Sequence, residues 1–104
     1  MAAQTFTLYN NGAVSLTITG IQFNTPSQVT HAANLSNFNG GTTAFTGTTF
    51  ATTTIIATGG TKTMTVDHYR TTSTAGTYGG TIVVTAFNGT TSTTATITTS
   101  FVVS

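Results

Sequence analysis

"YGGTIVVTAFNGTTSTTATITTSFVV" (residues 78–103) decides the fold class. Ile82, Val84 and Ala86 hold one parity through its first half, and Ala95, Ile97, Phe101 and Val103 hold one parity through its second. Side chains two apart share a face of a strand, so each half reads as a strand with one buried face. Asn88-Gly89 lies between them, a pair suited to the positive φ of a tight turn, and an antiparallel hairpin is expected. Thr94, Thr96, Thr98 and Ser100 fall on the opposite face of the last strand and read as solvent-facing.

The same period extends toward the N-terminus. Gln4 to Tyr9 alternates Phe6 and Leu8 inward and stops at Asn10-Asn11-Gly12, which predicts a hairpin into a second strand. In that strand Val14, Leu16 and Ile18 keep one parity, Gly20 breaks it, and Ile21 and Phe23 continue on the other. A glycine at such a break predicts a bulge or a crossing between sheets, and Pro26 ends or edges the strand. Residues 29–58 scatter Val29, Leu35, Phe38, Phe45, Phe50, Ile55 and Ile56 between threonine clusters and the Asn39-Gly40-Gly41 turn, and predict about two or three short strands. After Gly59-Gly60, Met64 and Val66 begin a cleaner strand, and Thr71 to Gly76 reads as a loop. No segment has a helical period and no repeat of fixed length appears. The expectation is all-β, a single domain over residues 1–104, built as an immunoglobulin-like antiparallel β-sandwich of about seven or eight strands.

Charged residues make up 3% of the chain, against about 25% in ordinary soluble domains. Thirty-one threonines stand in their place, β-branched residues that suit a pleated strand and still offer a hydroxyl to water. Seven Phe and three Tyr, with many Val and Ile, argue for a folded chain rather than a disordered one. Lys62 and Arg70 against Asp67 leave a net charge of +1 and no basic patch, so neither nucleic acid nor an anionic membrane surface is an expected partner. Cysteine is absent, which removes disulfides, thiolate nucleophiles and zinc-thiolate sites. "MAAQTFTLYNNG" (1–12) lacks the basic and apolar regions of a secretory leader, and no apolar run approaches the ~20 residues of a membrane helix.

Two stretches, "NNGAVSLTITGIQF" (10–23) and "GGTKTMTVDHYRTTSTAGTYGGTIVVTAFNG" (59–89), resemble the immunoglobulin-like modules of the ASH and choice-of-anchor type. Leu16, Ile18 and Ile21 match that family's early strand pair; Gly60, Val66, Gly76, Tyr78, Gly80, Ile82 and Val84 match its later segment. The resemblance covers roughly half the chain. It implies a binding or scaffolding role of the kind met in surface, cytoskeletal and phage proteins, and carries over no catalytic residue. His68 and Arg70 depart from the pattern, standing where the family usually has an aromatic and a proline.

"TVDHYR" (65–70) gathers the single acid, Asp67, with His68, Tyr69 and Arg70. Alternation sends Asp67 and His68 to opposite faces, so the two do not form a dyad. One carboxylate cannot supply the pair that glycoside hydrolysis uses. His31, His68 and Asp67 could in principle supply three metal ligands, but the two histidines lie in different segments without an HxH or HxxxH spacing, and no metal site is expected. The expected roles are structural: Asp67 capping a turn or pairing with Arg70 or Lys62, His68 at the sandwich rim, and Tyr69 and Arg70 at a subunit contact. No residue is assigned to catalysis, to a cofactor or to a metal. Asn34-Leu35-Ser36 and Asn88-Gly89-Thr90 are sequons expected by chance in so threonine-rich a chain.

A near-neutral chain of hydroxylated strands is suited to association, because it brings few buried charges to a contact. The expected function is a non-catalytic structural protein of a large assembly, a bacteriophage virion protein of the capsid decoration or cement type. Its partners would be other structural subunits, capsid or filament proteins, and further copies of itself, in a virion or on an extracellular surface. The rival readings are a surface filament subunit and an adhesion or carbohydrate-binding module. The latter has no Trp to stack a sugar and three Tyr. Ice binding, suggested by Thr94, Thr96 and Thr98, would require a flat threonine array over several strands.

Overall fold

The C-terminal hairpin forms as expected. In the computed structural model, which describes residues 3–104, β6 (Gly76–Phe87) and β7 (Ser92–Val103) pair antiparallel from Phe87↔Ser92 to Gly76↔Val103. Met1 and Ala2, at the start of the stretch read for a leader, lie outside the described residues. The turn between the strands is organised by Asn88, whose Oδ1 accepts from the Thr90 and Thr91 N–H groups at 2.9 and 2.8 Å. Gly89 takes the positive φ of 98° there, a conformation open to glycine without steric cost.

Five further strands precede the hairpin: β1 (Gln4–Tyr9), β2 (Leu16–Asn24), β3 (Val29–Asn34), β4 (Thr49–Ile56) and β5 (Thr61–Arg70). The seven strands form two antiparallel sheets, one ordered β1-β5-β3 and the other β4-β2-β6-β7. Buried side chains from both sheets meet between them, so the chain is an all-β sandwich. Immunoglobulin constant-type sandwiches group their first, second, fifth and fourth strands. Here the fifth strand lies between the first and third, and the second joins the fourth, sixth and seventh. The long axis measures 46 Å, close to the ~40 Å that a twelve-residue strand spans.

The parity break at Gly20 is a bulge. The register of β2 shifts between Ile18 and Gly20 against both β4 and β6, which keeps Ile18, Ile21 and Phe23 all buried despite their mixed parity. Between 29 and 58 there are two strands, β3 and β4, rather than three. The apolar residues of the intervening loop are core residues all the same. Leu35 and Phe38 are buried in the core and Phe45 packs against that core, in a series of rings in which Phe45 meets Phe50 at 5.4 Å and Phe50 meets Phe38 at 6.4 Å. Gly41 allows this loop to fold tightly, since a Cβ there would collide with the Leu35 carbonyl.

The expected β1–β2 hairpin does not form. β1 pairs with β5, and β2 begins at Leu16 in the other sheet. Val14, expected on the inner face, is exposed ahead of the strand. Asn10 explains the difference: it serves the core instead of a turn. It is 1% exposed, and its Nδ2 donates to the Val14 and Ile56 carbonyls at 2.8 and 2.9 Å. Its Oδ1 accepts from the Gly12 N–H at 3.0 Å. Its backbone N–H donates to Gly60 and its carbonyl accepts from Gly59. One neutral amide therefore joins the β1–β2 crossover to the β4–β5 crossover. Asn10→Ala strands these buried carbonyls and is expected to destabilise the fold by about 1–3 kcal/mol, read as a lower urea midpoint with an unchanged slope. A Gly41→Ala variant should lower that midpoint too, whereas Thr96→Ala on the exposed face of β7 should leave it in place.

Candidate functional site

The "TVDHYR" segment is the C-terminal half of β5, and the sheet divides its side chains. Val66 and His68 point into the sandwich, and Asp67 lies on the outer face with Thr65 and Tyr69. Lys62 and Arg70 share the inner parity, so neither cation faces the Asp67 carboxylate along the strand. The expected Asp67 ion pair is therefore not favoured by the strand geometry. Tyr69 is 47% exposed, and Arg70 is exposed at the strand end.

What the sheet does bring together is the two histidines. His31 on β3 stands directly opposite His68 on β5, although 37 positions of sequence separate them. Both are buried at 8% exposure. His31 Nε2 lies 2.8 Å from the Gly47 carbonyl, which can only accept, so Nε2 carries a hydrogen. His31 Nδ1 pairs with the Thr25 hydroxyl at 2.8 Å, and the ring stacks on Phe23 at 4.7 Å. His31 thus pins the β2–β3 crossover and the long β3–β4 loop to the sheet. His68 packs toward Phe101 of the facing sheet, ring centroids 6.5 Å apart. Its pKa lies below the usual histidine value, first because burial disfavours the imidazolium, then because His31 stands opposite; Asp67 offsets part of this. Among the described residues no third His, Cys, Asp or Glu joins the pair in a metal-binding group.

A second feature lies on the other side of the sandwich. Between β1 and β7 an apolar groove of about 380 Å³ is lined by Leu8, Leu16, Ile18, Ile56, Ala95 and Ile97, and no charged side chain lines it. It exists because the β3–β4 loop closes only one side of the sandwich. On the closed side Phe45 bridges Ala33 of β3, with backbone bonds of 2.9 and 2.8 Å. Asn39 holds β4 through Thr53, and through the buried hydroxyls of Thr52 and Thr54. On the opposite side β1 and β7 end their sheets, and among the described residues neither has a backbone partner beyond it. Ala95 and Ile97 have the inward parity read from sequence, yet Ala95 is exposed and Ile97 half-buried. The sequence contained the parity but no sign that a facing strand would be missing.

No family model, characterised protein or solved structure matches this chain. Among the described residues no helix is long and apolar enough to cross a membrane.

His68 makes stability depend on pH. With the folded-state pKa of His68 below that of the unfolded chain, the unfolded chain takes up the proton first as pH falls. This contribution is fully present above about pH 6.5, the unperturbed histidine value, and is lost as pH drops through the folded value. Calorimetry should show Tm falling between neutral and mildly acidic pH, and His68→Leu should flatten that part of the curve.

Proposed function

We infer that this chain is a non-catalytic structural subunit of a large assembly, most specifically a bacteriophage virion protein of the capsid decoration or cement type. The observation that carries the reading is the outer face of the four-stranded sheet. Thr17 of β2 pairs with Ile55 of β4 on one side and Phe87 of β6 on the other, so an Ile-Thr-Phe row crosses three strands. Ile55 is 62% exposed and Phe87 37%. Apolar side chains aligned on an uncharged face suit the centre of a protein contact, where aromatics are enriched and ions depleted.

The charges support the same reading by their location. Lys62, Asp67 and Arg70, the three formal charges of the chain, all belong to β5. The whole four-stranded sheet is left without an ion to desolvate when a neighbour covers it. The motif resemblance to scaffolding modules agrees with this role. A surface filament subunit is the runner-up, favoured by the two bare strand edges.

Particles purified from the native source test the proposal. Mass spectrometry should find the chain at a fixed ratio to the main shell protein, and electron microscopy should place it at symmetric positions. Recovery of the chain only as free protein, or with binding to a defined glycan, would overturn the reading. Ile55→Lys with Phe87→Lys should change stability by about 1 kcal/mol or less, as exposed substitutions do, while preventing incorporation into particles.

A further inference from the structure

The open side of the sandwich has the shape that a second copy of this chain completes. One sheet has three strands and the other four, and the N-terminal half of β7 projects past β1, with inward-parity Ala95 exposed and Ile97 half-buried, while Phe101 packs toward His68 and Val103 is buried. β1 and β7 border the same groove, where Leu8 and Tyr9 of β1 stand near Ala95 and Ile97 of β7.

The two strands also run in opposite directions. β1 ends beside the end of β4, where Asn10 Nδ2 reaches the Ile56 carbonyl at 2.9 Å. From β4 the antiparallel pairings to β2, β6 and β7 reverse the direction three times. β7 therefore starts at the end of the sandwich where β1 stops.

A two-fold axis parallel to the strands, placed on the open side, preserves strand direction and exchanges the two sheets. It sets the copy's β7 antiparallel to β1, and the copy's β1 antiparallel to β7. Each three-stranded sheet is then continued by the partner's four-stranded one. The result is two stacked sheets of seven strands, with the inner faces of the N-terminal halves of both β7 strands packed on each other.

We propose that this chain forms an isologous dimer through reciprocal antiparallel β1–β7 pairing, in which Ala95 and Ile97 of each copy fill the groove of the other. The contact closes on itself, as two-fold interfaces do. Natural proteins guard free edges with charge, proline or bulges; β1 and β7 contain no charged residue and no proline, and no register shift interrupts either. This inference rests on the assembly reading above and specifies its first contact.

Sedimentation from about 1 µM to about 1 mM, a range that brackets ordinary dimer affinities, should find twice the 10.6 kDa chain mass. Hydrogen exchange should be slowed at the β1 and β7 amides that β5 and β6 do not bond. Ala95→Lys, at a position the single chain leaves exposed, places an unpaired charge in the seam and should weaken the dimer at least about a hundredfold. Thr96→Lys, on the outer face of the same strand, should leave the dimer intact. A monomer throughout that range would overturn the proposal. So would an oligomer that survives Ala95→Lys with freely exchanging β1 and β7 edges. Either result leaves the assembly reading to be judged on the particles alone.

Discussion

The sandwich depends on burying polar side chains whose enclosed atoms find hydrogen-bond partners within the fold. A buried ion needs a partner in good geometry to offset its desolvation, whereas an amide or hydroxyl needs only ordinary hydrogen bonds. Asn10 joins two crossovers at one end of the sheets. His31 holds the loops around Thr25 and Gly47, and Thr52 and Thr54 hold the long loop at Asn39. No buried side-chain polar atom among the described residues lacks a partner. Such a fold has little need of charge, and the near absence of charge leaves its outer surfaces free to be covered.

Much of the architecture was legible because its signals are local. The β6–β7 hairpin follows from two alternating runs and an Asn-Gly pair, and the β2 bulge follows from a parity change at a glycine. The same local logic failed at Asn10-Asn11-Gly12. The turn signal there is the one that Asn88-Gly89 carries, and what differs is that Asn10 turns inward to carbonyls distant in sequence. Threonine posed a related ambiguity. Thr94 and Thr96 lie outside as their type suggests, while Thr52 and Thr54 on β4 are buried, a choice made by Asn39 and not by their neighbours in sequence.

The candidate sites were less legible still. "TVDHYR" attracted attention through charge, yet its alternation disperses Asp67, His68 and Arg70. The cross-strand His31–His68 pair and the groove between β1 and β7 both arise from which strands become neighbours. That information resides in the β3–β5 register and in the unequal strand counts of the two sheets, neither of which a parity pattern encodes.

The strand order also bears on how the chain is made. Among the described residues, β6 and β7 are the only consecutive strands that pair with each other. β1 and β3 both wait for β5, and the centre of the larger sheet needs β6 beside β2. On a ribosome, most of the polypeptide must emerge before its inner strands find a neighbour. Closing such distant loops is slow, and the nascent threonine-rich segments remain exposed meanwhile, with few charges to keep them apart.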